Sequence, residues 1–262
     1  MDVTNIDSIR DTFAFYSPEF VIHAAATKYI HLAEEYPNEC VDINIKGAQN
    51  IARVAFENKV KGVIGISTDK VNNMNSFYGL SKKVMENLYT LLDKEEGTRF
   101  TCVRLGNLAW STGSVFPIWK EMLETTNQIQ TTGYEMKRFF TRIDEALNLI
   151  TMTMNNLSLT GGNIVCASVK VAQMKHVLDD FIKFFGGTYT KVSKRRGESF
   201  KEIMINEDEA PYTVELTINH SKFFLIDKRK LQSPQKIYMV TTEEQQEMNR
   251  TEIRNLINKM SL

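Results

Sequence analysis

The stretch Gly62-Val63-Ile64-Gly65-Ile66-Ser67-Thr68-Asp69-Lys70-Val71-Asn72-Asn73-Met74-Asn75-Ser76-Phe77-Tyr78-Gly79-Leu80-Ser81-Lys82-Lys83 decides how the rest of the chain is read. Its first five residues are a short, β-branched apolar run, the pattern of a parallel strand buried on both faces. A polar cluster then marks a loop, and Leu80, Val84, Leu88, Leu91 and Leu92 give the spacing of a helix that begins near Tyr78. Thr68, Asp69 and Lys70 therefore sit at the carboxyl end of a strand, where open α/β sheets place their ligands. Tyr78 and Lys82 are four apart and share one helix face. A phenol beside an ammonium is a workable base, because the positive charge favours the phenolate. A lone Tyr-x-x-x-Lys arises in any helix of this composition. Its position one loop after Ser67-Thr68-Asp69-Lys70 is what gives it weight.

The bulk composition narrows the classes. The chain has 262 residues and 42% hydrophobic content, enough for one large or two modest cores. Lysine plus arginine equals aspartate plus glutamate at 32 each, so no global field favours nucleic acid or a membrane surface. Cys40, Cys102 and Cys166 are far apart and have no histidine cluster near them. They read as buried thiols of a reducing compartment, and no metal is expected. No apolar run approaches the roughly 20 residues of a membrane span, and no signal peptide opens the chain. A cytoplasmic protein is the expectation.

Along the chain, residues 6–16 form a helical pattern that Asn5 or Asp7 can cap. Residues 20–22 read as a short strand running into His23-Ala24-Ala25-Ala26. Small residues there suit close approach of a ligand and tight helix packing alike. A helix is expected from Pro37 to about Asn58, with Asn44 near its middle, a poor place for asparagine on propensity grounds. Residues 100–105 form another buried strand, ended by Gly106-Asn107. A helix is expected over 115–125, a short strand over 138–141, a helix starting at Asp144 and a strand over 163–166. An amphipathic helix over 171–185 is stopped by Gly186-Gly187. The basic loop at Lys194-Arg195-Arg196-Gly197-Glu198 precedes strands over 212–218 and 223–226 and a charged helix over about 242–259.

Ser67-Thr68-Asp69-Lys70 followed by Tyr78-Gly79-x-x-Lys82 resembles the extended short-chain dehydrogenase/reductases. More narrowly, it resembles the polysaccharide-biosynthesis branch that contains the inverting UDP-N-acetylglucosamine 4,6-dehydratases. Flanking segments agree in order: His23-Ala24-Ala25-Ala26-Thr27-Lys28, Asn44-Ile45-x-Gly47-Ala48-x-Asn50, Val103-Arg104-Leu105-Gly106-Asn107, Gly113-Ser114-Val115, Met136-Lys137-Arg138-Phe139-Phe140 and Arg196-Gly197-Glu198. The resemblance implies an α/β fold, a Rossmann-type doubly wound parallel sheet with a smaller α+β substrate domain. Residues 1–110 and 139–168 would form the dinucleotide-binding part, and 111–138 and 169–262 the substrate-binding part and tail. It implies NADP or NAD as cofactor, held by Asp2, Val3, Ala24, Ala25, Ala26, Asn44, Tyr78 and Lys82. A UDP-sugar would meet Lys28, Asn107, Ser114, Arg138, Arg196 and Glu198, with Arg195 an alternative for the diphosphate-binding arginine. Tyr78 would take the proton of the carbon 4 hydroxyl with Thr68 bonded to that oxygen. Lys82 would lower the tyrosine pKa, Lys70 would remove the carbon 5 proton if burial lowers its own pKa, and Asp69 would protonate the departing carbon 6 hydroxyl. The implied activity is NAD(P)-dependent 4,6-dehydration of a UDP-N-acetylhexosamine, inverting at carbon 5, for surface polysaccharide precursors. A 4-epimerase or 4-ketoreductase of the same fold is the alternative.

No Gly-x-Gly-x-x-Gly follows a strand in this sequence. In dinucleotide-binding folds that loop lies in the first βα turn. The match to the resembled family begins in mid-domain, so the chain is expected to be an N-terminally truncated version lacking two βα units of roughly 30 residues each. Bared strand and helix surface would make it depend on a homo-oligomer or a complementing chain. An inactive or partner-dependent nucleotide-sugar-binding fragment is the alternative outside catalysis.

Overall fold

Buried β-branched runs set the framework. In the computed structural model, which describes residues 1–194, 197–219, 221–227 and 239–258, helix α1 (Ile6–Tyr16) is capped by the Asn5 side chain, which accepts from the Asp7 and Ser8 amides. Strand β1 (Phe20–His23) follows, then α2 (Ile30–Glu35) and α3 (Pro37–Cys40). The helix expected from 37 to 58 is continuous but not uniform. A π turn over Val41–Lys46 separates α3 from α4 (Gly47–Glu57). Strand β2 (Gly62–Thr68) runs into a 3-10 turn (Asp69–Asn72) and then α5 (Phe77–Leu92), as the opening stretch predicts.

The next elements are β3 (Arg99–Leu105), β4 (Asn107–Leu108), α6 (Val115–Thr126), β5 (Gln128–Thr131), β6 (Lys137–Thr141) and α7 (Ile143–Asn155). Beyond them lie α8 (Leu157–Thr160), β7 (Ile164–Ala167), β8 (Val171–Gln173), α9 (Met174–Phe185), β9 (Thr188–Lys191) and β10 (Ile203–Ile205). The chain continues through β11 (Thr213–Ile218), β12 (Ser221–Ile226), β13 (Val240–Thr241) and α10 (Arg250–Ile257).

The main sheet has the order β1-β2-β3-β7-β12-β11. The first four strands are parallel, and β12 and β11 join antiparallel. It is the α/β sheet the resemblance implies, mostly parallel but with two antiparallel strands added at one edge. Ile51, Val54, Met85 and Tyr89 of α4 and α5 pack with α1 and the strands in one core cluster. Ala146 of α7 covers Ile64, Val103 and Val165 on the other face. A second core lies outside the sheet. There Phe116 stacks on Phe140 and Phe181, with ring centroids 5.7 Å apart in both pairs.

Three expectations need correction. The helix expected over 171–185 starts only at Met174, because Val171–Gln173 pairs with β6 as a strand. The charged helix expected over 242–259 is confined to Arg250–Ile257, its start fixed by a capping box between Asn249 and Glu252. Strands β11 and β12, assigned from sequence to the smaller part within 169–262, extend the main sheet instead, with Phe224 opposite Cys166 and Leu225 opposite Val165. Their apolar residues match the bare edge of β7. The three cysteines are buried and free.

Arg104 is a guanidinium on β3, whose residues 100–105 are all buried, and it is 0% exposed. Glu86 of α5 holds it at 2.7 Å and Glu209, after β10, at 2.8 Å. The Lys83 ammonium also meets Glu209, at 2.5 Å. Removing one member of such a cluster leaves buried charge uncompensated, at a cost of about 3–5 kcal/mol. Arg104→Leu is therefore expected to destabilise the chain by about that amount in urea unfolding. A loss below about 1 kcal/mol would mean that the two glutamates find other partners.

Candidate active site

The carboxyl ends of β1, β2 and β3 open into a cavity of about 880 Å3, with Thr68, Lys70, Tyr78 and Lys82 on its wall. Local chemistry places each of them. Thr68 caps the 3-10 turn by accepting from the Lys70 amide at 3.4 Å. Ser76 caps α5 by accepting from the Gly79 amide at 3.2 Å. A Cβ at position 79 would collide with the Lys70 carbonyl, so glycine there lets the first turn of α5 press against the turn that carries Asp69 and Lys70.

Asn44 is fully buried. It projects from the π turn, a distortion often found at functional sites. Its Oδ1 accepts from the Thr27 amide at 2.8 Å, and its Nδ2 donates to the Thr27 carbonyl at 3.2 Å and to Ser81 Oγ at 2.9 Å. Ser81 lies between Tyr78 and Lys82 on α5. Asn44 thus fastens the segment after Ala24, Ala25 and Ala26 to the helix that carries the tyrosine and lysine.

The cavity also takes in Ala24, Ala26, Lys28, Asn107, Ser114, Arg138 and Glu198. Lys28 donates to the Thr112 carbonyl. Ser114 stands at the N-cap of α6 with its hydroxyl buried and without a partner among the described residues. Arg138 donates to the Ser199 carbonyl at 2.8 Å, and Glu198 accepts from Thr132 Oγ1 at 3.2 Å. Asp2 and Val3 lie elsewhere. Asp2 is exposed and accepts from the Thr4 amide and hydroxyl, while Val3 packs against Gly47. Ala25 and Asn44 are not on the cavity wall. Arg195 and Arg196 fall outside the described residues.

Asp69 sits just beneath the wall, 1% exposed. Its Oδ1 accepts from Lys70 Nζ and from Thr68 Oγ1, both at 2.9 Å. Lys70 Nζ also donates to Asn107 Oδ1 at 3.1 Å and meets Glu202 Oε1 at 3.1 Å. Glu202 carries no sequence motif and was missed in the sequence reading. The nearest signal is its place four residues after Glu198, in a segment whose polarity suggests only a surface loop.

Burial and charge set the protonation states. Burial, and the Glu202 carboxylate next to it, push Asp69 up to about 7, against the pull of Lys70. Burial opposes the charge on Lys70, but Asp69 and Glu202 outweigh it and hold the amine above its ordinary value. The expected lowering of Lys70 is thus reversed, because two carboxylates answer one ammonium. Burial, with the Asp69 charge adding to it, pushes the Tyr78 phenol up to about 12, with Lys70 and a Thr68 hydrogen bond acting in the other direction. Lys70, not Lys82, is the leading cation acting on that phenol. Lys82 itself is pushed down to about 8 by burial. It donates to the Met85 thioether at 3.3 Å, a weak acceptor, so the amine is poised for an oxygen from a ligand. That, together with the small Ala24 and Ala26, fits a cofactor ribose.

The match to known proteins follows this geometry. The family described as "Polysaccharide biosynthesis protein" matches residues 1–227. The UDP-N-acetylglucosamine 4,6-dehydratase (inverting) of Campylobacter jejuni strain 81-176 is 33% identical over 216 residues, covering 80% of this chain and 63% of that enzyme. The chain thus spans under two thirds of that relative's length. A UDP-glucose 4-epimerase of Rickettsia prowazekii is 27% identical over 246 residues, covering 88% of this chain and 71% of that enzyme. The X-ray structure of Pen from Bacillus thuringiensis superimposes with a TM-score of 0.89 at 26% identity, covering 100% of this chain and 80% of that one. DesIV, a dTDP-glucose 4,6-dehydratase from Streptomyces venezuelae solved with NAD, shares the fold at a TM-score of 0.69 and 16% identity, covering 76% of this chain and 68% of that one. Among the described residues no helix is long and apolar enough to cross a membrane. With its mostly parallel Rossmann-type sheet and its Thr68–Tyr78–Lys82 crevice, the chain belongs to the polysaccharide biosynthesis protein family, a branch of the extended short-chain dehydrogenase/reductases.

Proposed function

We propose that this chain carries the catalytic centre of an enzyme that modifies nucleotide sugars. The specific reaction is 4,6-dehydration of a UDP-N-acetylhexosamine with inversion at carbon 5, on the route to surface polysaccharide precursors. One observation carries the reading. Thr68, Lys70, Tyr78 and Lys82 line a single cavity, with Asp69 bonded directly to Lys70 beneath it. The 33% identity to a dehydratase supports it.

A nicotinamide cofactor, NAD or NADP, supplies the hydride acceptor for carbon 4 when bound. Lys82 would hold its ribose, with Ala24 and Ala26 leaving room and Asn44 bracing the backbone behind them. Tyr78 takes the proton of the carbon 4 hydroxyl, and the Lys70 cation and Thr68 hydrogen bond favour the phenolate that this step requires. Once carbon 4 is a ketone the carbon 5 proton is acidic, and Lys70 as a free amine takes it. Asp69, protonated near neutral pH, gives its proton to the carbon 6 oxygen as the C–O bond breaks, and water leaves. The enone left behind would be saturated by return of the hydride to carbon 6 and a solvent-exchanged proton to carbon 5. The two protons taken up by Tyr78 and Lys70 balance the one delivered to carbon 5 and the one that returns to Asp69 from Lys70 across 2.9 Å. Asn107, Arg138, Lys28, Ser114 and Glu198 face the same space and are the side chains for the UDP-sugar.

The alternative, a 4-epimerase, is favoured by the Rickettsia likeness, which covers 88% of this chain. It needs no proton exchange at carbon 5. Incubating the chain with NAD or NADP and UDP-N-acetylglucosamine in deuterium oxide, with NMR of the product, separates the two. A 4-keto-6-deoxy sugar with deuterium at carbon 5 is expected, and Lys70→Ala is expected to cut that incorporation about 10²–10⁴-fold. A product retaining both hydroxyls and no deuterium means epimerisation. Binding without turnover means a nucleotide-sugar-binding role.

The Lys82 environment has its own signature. The folded chain holds this amine at about 8 against an ordinary 10.5. Between those values the unfolded chain binds the additional proton, so this group's contribution to stability grows as pH rises across the window. The melting-temperature difference between wild type and Lys82→Met is expected to move in favour of wild type from about pH 8 to pH 10. A difference independent of pH would place the amine in solvent.

A further inference from the structure

Glu202 approaches the acid–base pair from a distant part of the chain and is 6% exposed. Its Oε1 lies 3.1 Å from Lys70 Nζ and 3.3 Å from Arg138 Nε. Its Oε2 accepts from Asn107 Nδ2 at 3.1 Å and from the Phe139 amide at 3.3 Å. Its own amide donates to Thr242 Oγ1 at 3.2 Å. Partners on three separate segments therefore fix this carboxylate, and a fourth holds its backbone.

Asp69 is left with an unanswered atom. Its Oδ1 is engaged by Lys70 and Thr68, whereas its Oδ2 is buried and accepts from no donor among the described residues. The Asp69 and Glu202 carboxyl groups converge on one ammonium, with Lys70 Nζ 2.9 Å from Asp69 Oδ1 and 3.1 Å from Glu202 Oε1. Two buried carboxyl groups this close disfavour a second negative charge, and a proton held between them removes the repulsion. The groups facing Asp69 are Glu202 before β10, Lys70 on its own turn and Tyr78 on α5, with Arg138 of β6 behind Glu202.

We propose that Asp69 and Glu202 share one proton, carried on Asp69 Oδ2 and donated to the Glu202 carboxylate, with the Lys70 ammonium bridging the pair. Glu202 is then the positioning residue that keeps Asp69 a proton donor. Its own ionised state follows from the Lys70 and Arg138 cations, which hold it below its ordinary value although burial works against them. The trio is neutral overall: a carboxylic acid, a carboxylate and an ammonium. Glu202 is also the acceptor to which Lys70 passes its proton, across 3.1 Å, when the free amine is needed. That transfer turns an ion pair into two neutral groups and leaves the net charge of the site unchanged. The chemical purpose of the arrangement rests on the dehydration reading. The shared proton does not.

The test is carboxyl carbon NMR of the full chain labelled in aspartate and glutamate. One aspartate carbon is expected to titrate near pH 7 instead of near 3.8, and to vanish in Asp69→Asn. One glutamate carbon is expected to move through the same transition, since both groups hold the same proton. In Glu202→Gln, which keeps the shape and removes the charge, the Asp69 midpoint is expected to fall by about one pH unit or more. In Glu202→Asp, which keeps a carboxylate, it is expected to return towards the wild-type value. A wild type in which no aspartate titrates above about pH 5 overturns the proposal. So does an Asp69 midpoint unmoved in Glu202→Gln, or a transition with no glutamate following it. Should Glu202→Gln fail to fold, the wild-type titration of both labels decides alone. A shared proton in a chain that makes no 4-keto product would leave this pair standing and sink the dehydratase reading; a 4-keto product with no shared proton would do the reverse.

Discussion

Two cations taken out of water organise this molecule. Arg104 near the end of β3 and Lys70 just beyond β2 both lie where a parallel sheet meets its crevice, and neither has a sufficient partner on its own strand. Stripping such groups of solvent costs several kcal/mol per ion unless carboxylates answer them with good geometry. The same short segment answers both, Glu202 meeting Lys70 and Glu209 meeting Arg104. Folding that segment across the sheet ends is thus an electrostatic requirement, and it closes the wall of the cavity as it is met.

The protonation pattern of the site follows from that arrangement. Burial acts on every titratable group there in the same sense, against charge, and the neighbours decide who keeps it. Lys70 has two carboxylates and stays an ammonium, whereas Lys82 has a thioether and is pushed towards neutrality. Asp69 has a second carboxylate beside it and is pushed up, while Glu202, with two cations, is pushed down. Four ionisable groups close together are thereby driven to different states at one pH, which is the condition for moving protons in both directions in one site.

The support behind these groups is as specific as the groups themselves. Asn44 is buried on the π turn and joins the segment after β1 to α5 through Thr27 and Ser81. Glycine at position 79 lets α5 touch the Lys70 turn. Both devices hold the tyrosine and lysine at fixed positions relative to the acid–base turn. A second core around Phe116 and Phe181 contributes Trp119, Met136, Phe140 and Met174 to the cavity lining.

Much of this was legible in the sequence because it is local. Periodicity and β-branched runs give β2, β3, β7 and α5, and the order strand, polar turn, helix puts Thr68, Asp69, Lys70, Tyr78 and Lys82 at one crevice without any structure. What the sequence could not say concerns partners across the chain. Glu202 is 132 residues from Lys70, and nothing in its neighbourhood marks it. Arg104 did carry a signal, a lone charge in an apolar strand, but not the identity of its partners. The joining of β11 and β12 to the main sheet, and the opposite directions in which Lys70 and Lys82 are shifted, were likewise decided by tertiary structure. Local sequence encodes periodicity and burial, whereas the charge state of a buried group depends on which distant residues the fold brings within a hydrogen bond of it.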